Sequence, residues 1–202
     1  TGLKPDVIAI TGDMGDGYAP LLSDDLAPLA TLKPAGGTFY VTGNHEYYWE
    51  VEQWTAKMAE LGAHVLYNVG REVKVKGHHI WMGGVPDYAC QRVKPEHESS
   101  PAKAAPGSEF KGPKILLAHQ PKSCFEAQKA GFDLMLSGHT HWGQFFPFSL
   151  LVGWFNPYHK ALNQHLNMQV YVNAGTGFWG PPLRLGVPSE ITCLDINGSG
   201  AT

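Results

Sequence analysis

The sequence predicts an α/β fold in which parallel strands alternate with helices. Three observations carry this reading. Four short apolar runs each end in a residue able to bind metal, three of them through a Thr-Gly or Ser-Gly pair: VIAI before Asp13, TFYV before Asn44, ILLA before His119 and DLML before His139. Runs this short, bounded by turn residues, read as buried strands. Segments with helical spacing fall between them, and alternating strands and helices imply parallel strands with right-handed crossovers. The chain is also rich in turn formers, with 24 Gly and 15 Pro, as short elements in a sheet-rich protein require.

The elements follow in order. After the first strand, Leu21 to Leu32 is a helix candidate. Glu50 to Leu61 is a clearer one. Val51, Trp54, Met58 and Leu61 share a face, acids occupy the first turn, and Gly62 ends it. Residues 63–85 change period. AHVLYN, REVKVKG and HHIWMGG read as an antiparallel meander. Residues 86–112 are polar and carry Pro95, Pro101 and Pro106, which predicts a long exposed loop. Pro121 to Ala130 is a third helix, with Pro in its first turn and Gly131 as its stop. From Leu134 to Leu183 the only Lys, Arg, Asp or Glu is Lys160. That aromatic stretch is suited to walling an apolar cleft or touching a membrane surface.

The chain of 202 residues suits one domain, spanning 1–202. Its charged content of 16% and hydrophobic content of 43% indicate a globular chain rather than a disordered one. A formal net charge of −3 offers no basic face, so no nucleic-acid partner is expected. Cys90, Cys124 and Cys193 are too widely and irregularly spaced for a disulfide framework or a zinc cage, and read as free, buried thiols. The longest apolar run, Phe145 to Phe155, is about half of what a membrane-spanning helix needs. The opening TGLKP resembles the close of a helix, which predicts that a segment lies upstream of Thr1.

In parallel sheets, functional groups gather at the carboxyl ends of the strands. Asp13, Asn44, His119 and His139 should therefore meet at one edge, with His141 beside them. Carboxylate, amide oxygen and imidazole together suit Mn, Fe or Zn better than Ca or Mg. A carboxylate can bridge two cations, and such a pair can clamp a phosphoryl oxygen. His45, next to Asn44, is a candidate to protonate a leaving oxygen, with Glu46 orienting it. Asp16 reads as a residue that holds its own loop.

GDMGD at 12–16, GNHE at 43–46, LLAHQP at 116–121 and GHTH at 138–141 resemble, in that order, the motifs of the calcineurin-like metallophosphoesterase family. GNHEYYW, LLAHQPKS and GTGFWGPPLR are similar to its bacterial membrane-anchored branch. The resemblance implies a metallophosphatase-type α/β/β/α sandwich of four layers, with mixed sheets flanked by helices. It implies two divalent metal ions (Mn, Fe or Zn) and a metal-bound hydroxide that attacks phosphorus in line. Asp13 would bridge the metals, Asn44, His119 and His139 would complete one shell, His141 would bind the other metal, and His45 would act on substrate.

The chain departs from that family pattern in three places. An early Asp-x-His motif, with the strand that carries it, is absent, which leaves one metal shell incomplete in this fragment. Gly17 follows Asp16 where many members carry Arg. Trp142 stands where many carry Gly, which predicts a narrowed cleft.

The expected activity is hydrolysis of a phosphodiester or pyrophosphate bond in a small, lipid-linked or nucleotide-linked phosphoester. Arg184 is a candidate for an anionic substrate group, with a surface salt bridge as its other reading. His159 and Asp87 are further candidates for substrate contact. Association with a membrane through an upstream segment is what the resemblance implies. The alternative function is a non-catalytic metal-binding domain that recruits a lipid or protein partner.

Overall fold

The computed structural model describes residues 2–197. Two sheets lie face to face. The smaller holds β1 (Ile8–Ile10), β2 (Thr38–Tyr40) and β3 (Ala63–Val65), all parallel. The larger has the order β4-β5-β6-β7-β9-β8, formed by β4 (Val69–Val75), β5 (His78–Gly84), β6 (Lys114–Leu117), β7 (Leu134–Ser137), β8 (Ala161–His165) and β9 (Met168–Val172). Its middle strands β5, β6, β7 and β9 are parallel neighbours, and the antiparallel pairs β4–β5 and β8–β9 close its two sides.

Strand alternation builds the layers, because successive side chains point to opposite faces. Phe39 and Val41 meet Ile115, Leu117 and Met82 in a core between the sheets. Tyr40, from the other face of β2, packs with Met58 and Ala63. Leu116 and Ala118, from the other face of β6, pack with Cys124, Ala127 and Phe132. Helices α1 (Ser23–Leu26), α2 (Asn44–Tyr48) and α3 (Val51–Glu60) follow strands of the first sheet, and α3 covers it. Helices α4 (Pro101–Ala104) and α5 (Cys124–Lys129) cover the second, and α6 (Phe148–Leu151) lies in the aromatic segment. The result is the expected four-layer α/β/β/α sandwich.

Helix α3 follows the expected pattern. Val51, Trp54 and Met58 are buried, and Gly62 takes φ +93° where the chain leaves the helix. Burying each of these side chains contributes roughly 1.5–3 kcal/mol. Several expectations need correction. Leu21 to Leu32 is not one helix. Pro20 and Pro28 each open a 3-10 turn, and only Ser23–Leu26 is α-helical. β3 does not join a meander but pairs parallel with β2, because the long helix α3 gives the chain room to cross over. The loop over 86–112 is not simply exposed. Asp87, Cys90, Pro101 and Ala104 are buried, and α4 packs on the second sheet. Cys193 is exposed, unlike Cys90 and Cys124. In the aromatic segment, Phe146, Leu150, Trp154 and Phe155 face solvent, while Val152 is buried. No helix among the described residues is long and apolar enough to cross a membrane.

Candidate metal centre

Two strands from each sheet deliver the site, so it straddles the sandwich rather than lying along a single sheet edge. β1 and β2 lead to Asp13 and Asn44. β6 and β7 lead to His119 and His139. The two sheets are tied at this point by His119, whose Nδ1 donates to the Thr11 carbonyl at 2.7 Å. That bond fixes the tautomer and leaves Nε2 facing the other donors.

Four donor atoms converge. His119 Nε2 lies 3.0 Å from Asp13 Oδ2 and 3.2 Å from Asn44 Oδ1. His139 Nδ1 lies 2.9 Å from Asn44 Oδ1 and 3.2 Å from His119 Nε2. Ligands about 2.1 Å from a shared cation stand about 3.0 Å apart at right angles and about 3.4 Å apart at tetrahedral angles. The observed spacings match that range. Two imidazole nitrogens 3.2 Å apart, with a carboxylate and an amide oxygen beside them, are also a donor set that a divalent cation takes. The residues therefore fit a divalent cation, and Asp13, His119 and His139 form the metal-capable group among the described residues.

The electrostatics agree. Burial would raise the Asp13 carboxyl, but the charge and hydrogen bond of His119 outweigh it and hold Asp13 well below the usual range. Burial would lower His119, yet Asp13 pushes it up to about 9. The negative carboxylate that favours a proton on His119 would equally favour a cation there. Burial, then the charge of His119, brings His139 down to about 3, so its ring is neutral and able to ligate.

The loop after β1 is held by Glu46. This fully buried carboxylate accepts the N–H groups of Gly43 at 2.6 Å, Met14 at 2.7 Å and Asp13 at 3.0 Å. Burial and the charge of Asp13 push its carboxyl up, against the pull of those N–H bonds. Glu46 therefore fixes the backbone carrying Asp13, not the ring of His45 as the sequence suggests. That ring is held by Asp16, with Nδ1 to Oδ1 at 3.2 Å, and Asp16 also accepts the Trp49 indole N–H at 2.6 Å. The roles expected for Glu46 and Asp16 are exchanged. Gly12 lets the two loops touch: its φ is +89°, and a Cβ there would stand 2.3 Å from the Gly43 nitrogen.

SGHTHWGQ, residues 137–144, turns through positive φ at His139, His141, Trp142 and Gln144. Non-glycine residues accept this conformation only where surrounding bonds over-determine it. Thr140 Oγ1 donates to the His159 carbonyl at 2.7 Å, and Gln144 Oε1 accepts Trp179 N–H at 2.8 Å. The Trp142 indole donates to the Val172 carbonyl at 2.8 Å, so Trp142 pins the loop to the end of β9 rather than narrowing the cleft.

His141 stands outside the converged group. Burial and then the charge of Arg184 lower it to about 4. Arg184 Nη2 lies 3.2 Å from His141 Nδ1 and donates to the Ala174 carbonyl at 2.8 Å, while its Nε donates to the Gly177 carbonyl at 2.6 Å. Arg184 thus latches the 174–188 segment and forms no surface salt bridge among the described residues. His159 contributes its carbonyl to the loop, and its ring packs against Gly153, with no contact to the four donors. Thr11 and Gln120 were not anticipated. Thr11 acts through its main-chain carbonyl, which the sequence cannot flag. Gln120 donates to the buried Asp87 carboxylate at 2.9 Å.

Comparison with known proteins agrees with the geometry. Residues 2–143 match the calcineurin-like phosphoesterase family, and the chain belongs to that family. It is 38% identical over 200 residues to a transmembrane protein with metallophosphoesterase domain from Danio rerio, covering 94% of this chain and 45% of that protein. It is 41% identical over 193 residues to an uncharacterized metallophosphoesterase of Helicobacter pylori, covering 95% of this chain and 51% of that protein. The chain therefore spans about half the length of these relatives. The sulfate thiohydrolase SoxB from Thermus thermophilus shares the fold, with a TM-score of 0.56 at 15% identity over 82% of this chain and 33% of that one. Membership implies divalent metal ions, which Asp13, His119 and His139 are arranged to bind.

Proposed function

We propose that this chain is the hydrolytic core of a metal-dependent phosphoesterase that cleaves a phosphodiester or pyrophosphate bond in a lipid-like or nucleotide-linked substrate. The convergence of Asp13, Asn44, His119 and His139 at 2.9–3.2 Å carries the reading. Two divalent ions would supply Lewis acidity and a nucleophile at neutral pH. Asp13 is the residue suited to span them, and His141 the one suited to the second ion. His45 is held through Nδ1 by Asp16, which leaves Nε2 for a proton transfer to the leaving oxygen. The exposed Phe146, Leu150, Trp154 and Phe155 suit contact with a membrane surface. Co-sedimentation with lipid vesicles checks this, and loss of binding is expected in Trp154→Ala/Phe155→Ala.

The test is manganese-dependent hydrolysis of an aryl phosphodiester by the full-length protein. Turnover is expected in wild type and should vanish in His139→Ala. A mutant equal to wild type would refute the assignment. A second reading, a non-catalytic metal-binding domain that recruits a lipid or protein partner, draws on the position of His141 outside the converged group. It requires one bound metal per chain and no turnover.

A further inference from the structure

A cleft of about 250 Å³ opens beside the metal centre and shares Asn44 and His139 with it. At about 30 Å³ per water, that space equals about eight waters, enough for a phosphoryl group and part of what it esterifies. Arg92 and Lys122 both line it. Neither takes part in an ion pair among the described residues.

The two cations come from different elements. Arg92 ends the 3-10 turn Cys90–Arg92, and Lys122 lies in the turn Pro121–Ser123 directly after β6. The acid in the cleft, Asp87, is buried and already engaged: its carboxylate accepts the Gln120 amide at 2.9 Å and the Ala89 N–H at 2.8 Å. Tyr48 and Tyr88 are exposed at the cleft, and Tyr48 packs on the His45 ring with centroids 5.6 Å apart. The cleft thus offers unpaired positive charge beside the reacting position. Arg adds a planar fork matched to phosphate oxygens.

We infer that this cleft is a subsite for a second phosphoryl group, joined through one bridging oxygen to the phosphorus that reacts at the metal centre. This rests on the phosphoesterase reading and narrows it to pyrophosphate-type substrates over simple diesters. The proposed role of both cations is to select for the second phosphoryl group.

The experiment compares inorganic pyrophosphate with inorganic phosphate. Binding to the full-length protein is measured by calorimetry at a fixed free manganese concentration, and both ions are also tested as inhibitors of aryl phosphodiester hydrolysis. Wild type should bind pyrophosphate at least about tenfold more tightly than phosphate, the size of one or two charged rim contacts. Arg92→Gln and Lys122→Gln should each erode that preference about three- to tenfold, and the double variant should abolish it. Lys129→Gln, which lies outside the cleft, should leave it intact. Equal binding of the two ions by wild type, or a preference surviving in the double variant, would overturn the subsite. Absence of turnover with the calorimetric preference intact would instead count against the phosphoesterase reading and leave the subsite standing.

Discussion

The two flanks of Asp13 are built differently. On one flank, Asn44, His119 and His139 come from the ends of buried strands, and their donors already stand at coordination spacing. On the other, Asp16 and His141 lie on turns, and His45 lies on the short helix α2. Their positions depend on side-chain latches: Asp16 on His45, Arg184 on the 174–188 segment, and Gln144 on Trp179. A strand end is rigid because each neighbouring strand fixes its direction. A latched loop is only as fixed as the bonds that hold it. Under the proposed function, the first flank would capture metal and the second would adjust around the substrate.

The largest effect should come from the strand-end flank. His139→Ala should abolish metal-dependent turnover, exceeding the roughly 10- to 100-fold losses typical of outer-shell partners. Kinetics across a manganese titration checks this. Glu46→Gln should follow. It replaces one carboxylate oxygen by an NH₂, so that one or two of the three N–H groups, split between Oε1 and Oε2, lose their acceptor. It should cost about 3 kcal/mol in urea unfolding and about 10- to 100-fold in activity.

On the loop flank, Asp16→Asn should lower kcat about tenfold or less, because it loosens His45 without removing it, whereas His45→Ala should cost at least about 100-fold. If the two variants lose equally, Asp16 does more than position His45. Arg184→Ala should spare metal binding. It should cost about 1 kcal/mol, or about 2–4 °C in Tm.

The smallest effect concerns pH. Burial would raise the Glu190 carboxyl, but hydrogen bonds from Thr192, Tyr171 and the Ala174 N–H outweigh it and hold it below its ordinary value. The unfolded chain then binds that proton more readily than the folded one. Stability from Glu190 is therefore present above about pH 5 and is lost as pH falls through the depressed folded value. Glu190→Gln should be less stable than wild type at neutral pH, and thermal melts should show the gap closing in acid.

The strand-end flank was legible in the sequence because its signal is local and repeated. An apolar run, small residues and a donor recur for Asp13, Asn44 and His139, and His119 follows its strand directly. The loop flank was less legible. Glu46 and Asp16 sit in the right motifs, but which backbone or ring each one meets depends on how the two loops face each other across Gly12. Trp142 finds its partner at the end of β9, about thirty residues away, which no spacing rule encodes. The layer order followed from strand alternation, whereas the parallel pairing of β3 depended on the length of α3, against the meander its short apolar runs suggested.

The most direct measurement is anomalous diffraction from crystals of this protein soaked in manganese. The account predicts a peak about 2.1–2.2 Å from each of Asp13 Oδ2, Asn44 Oδ1, His119 Nε2 and His139 Nδ1. No peak among those four atoms, at a concentration that supports turnover, would contradict it.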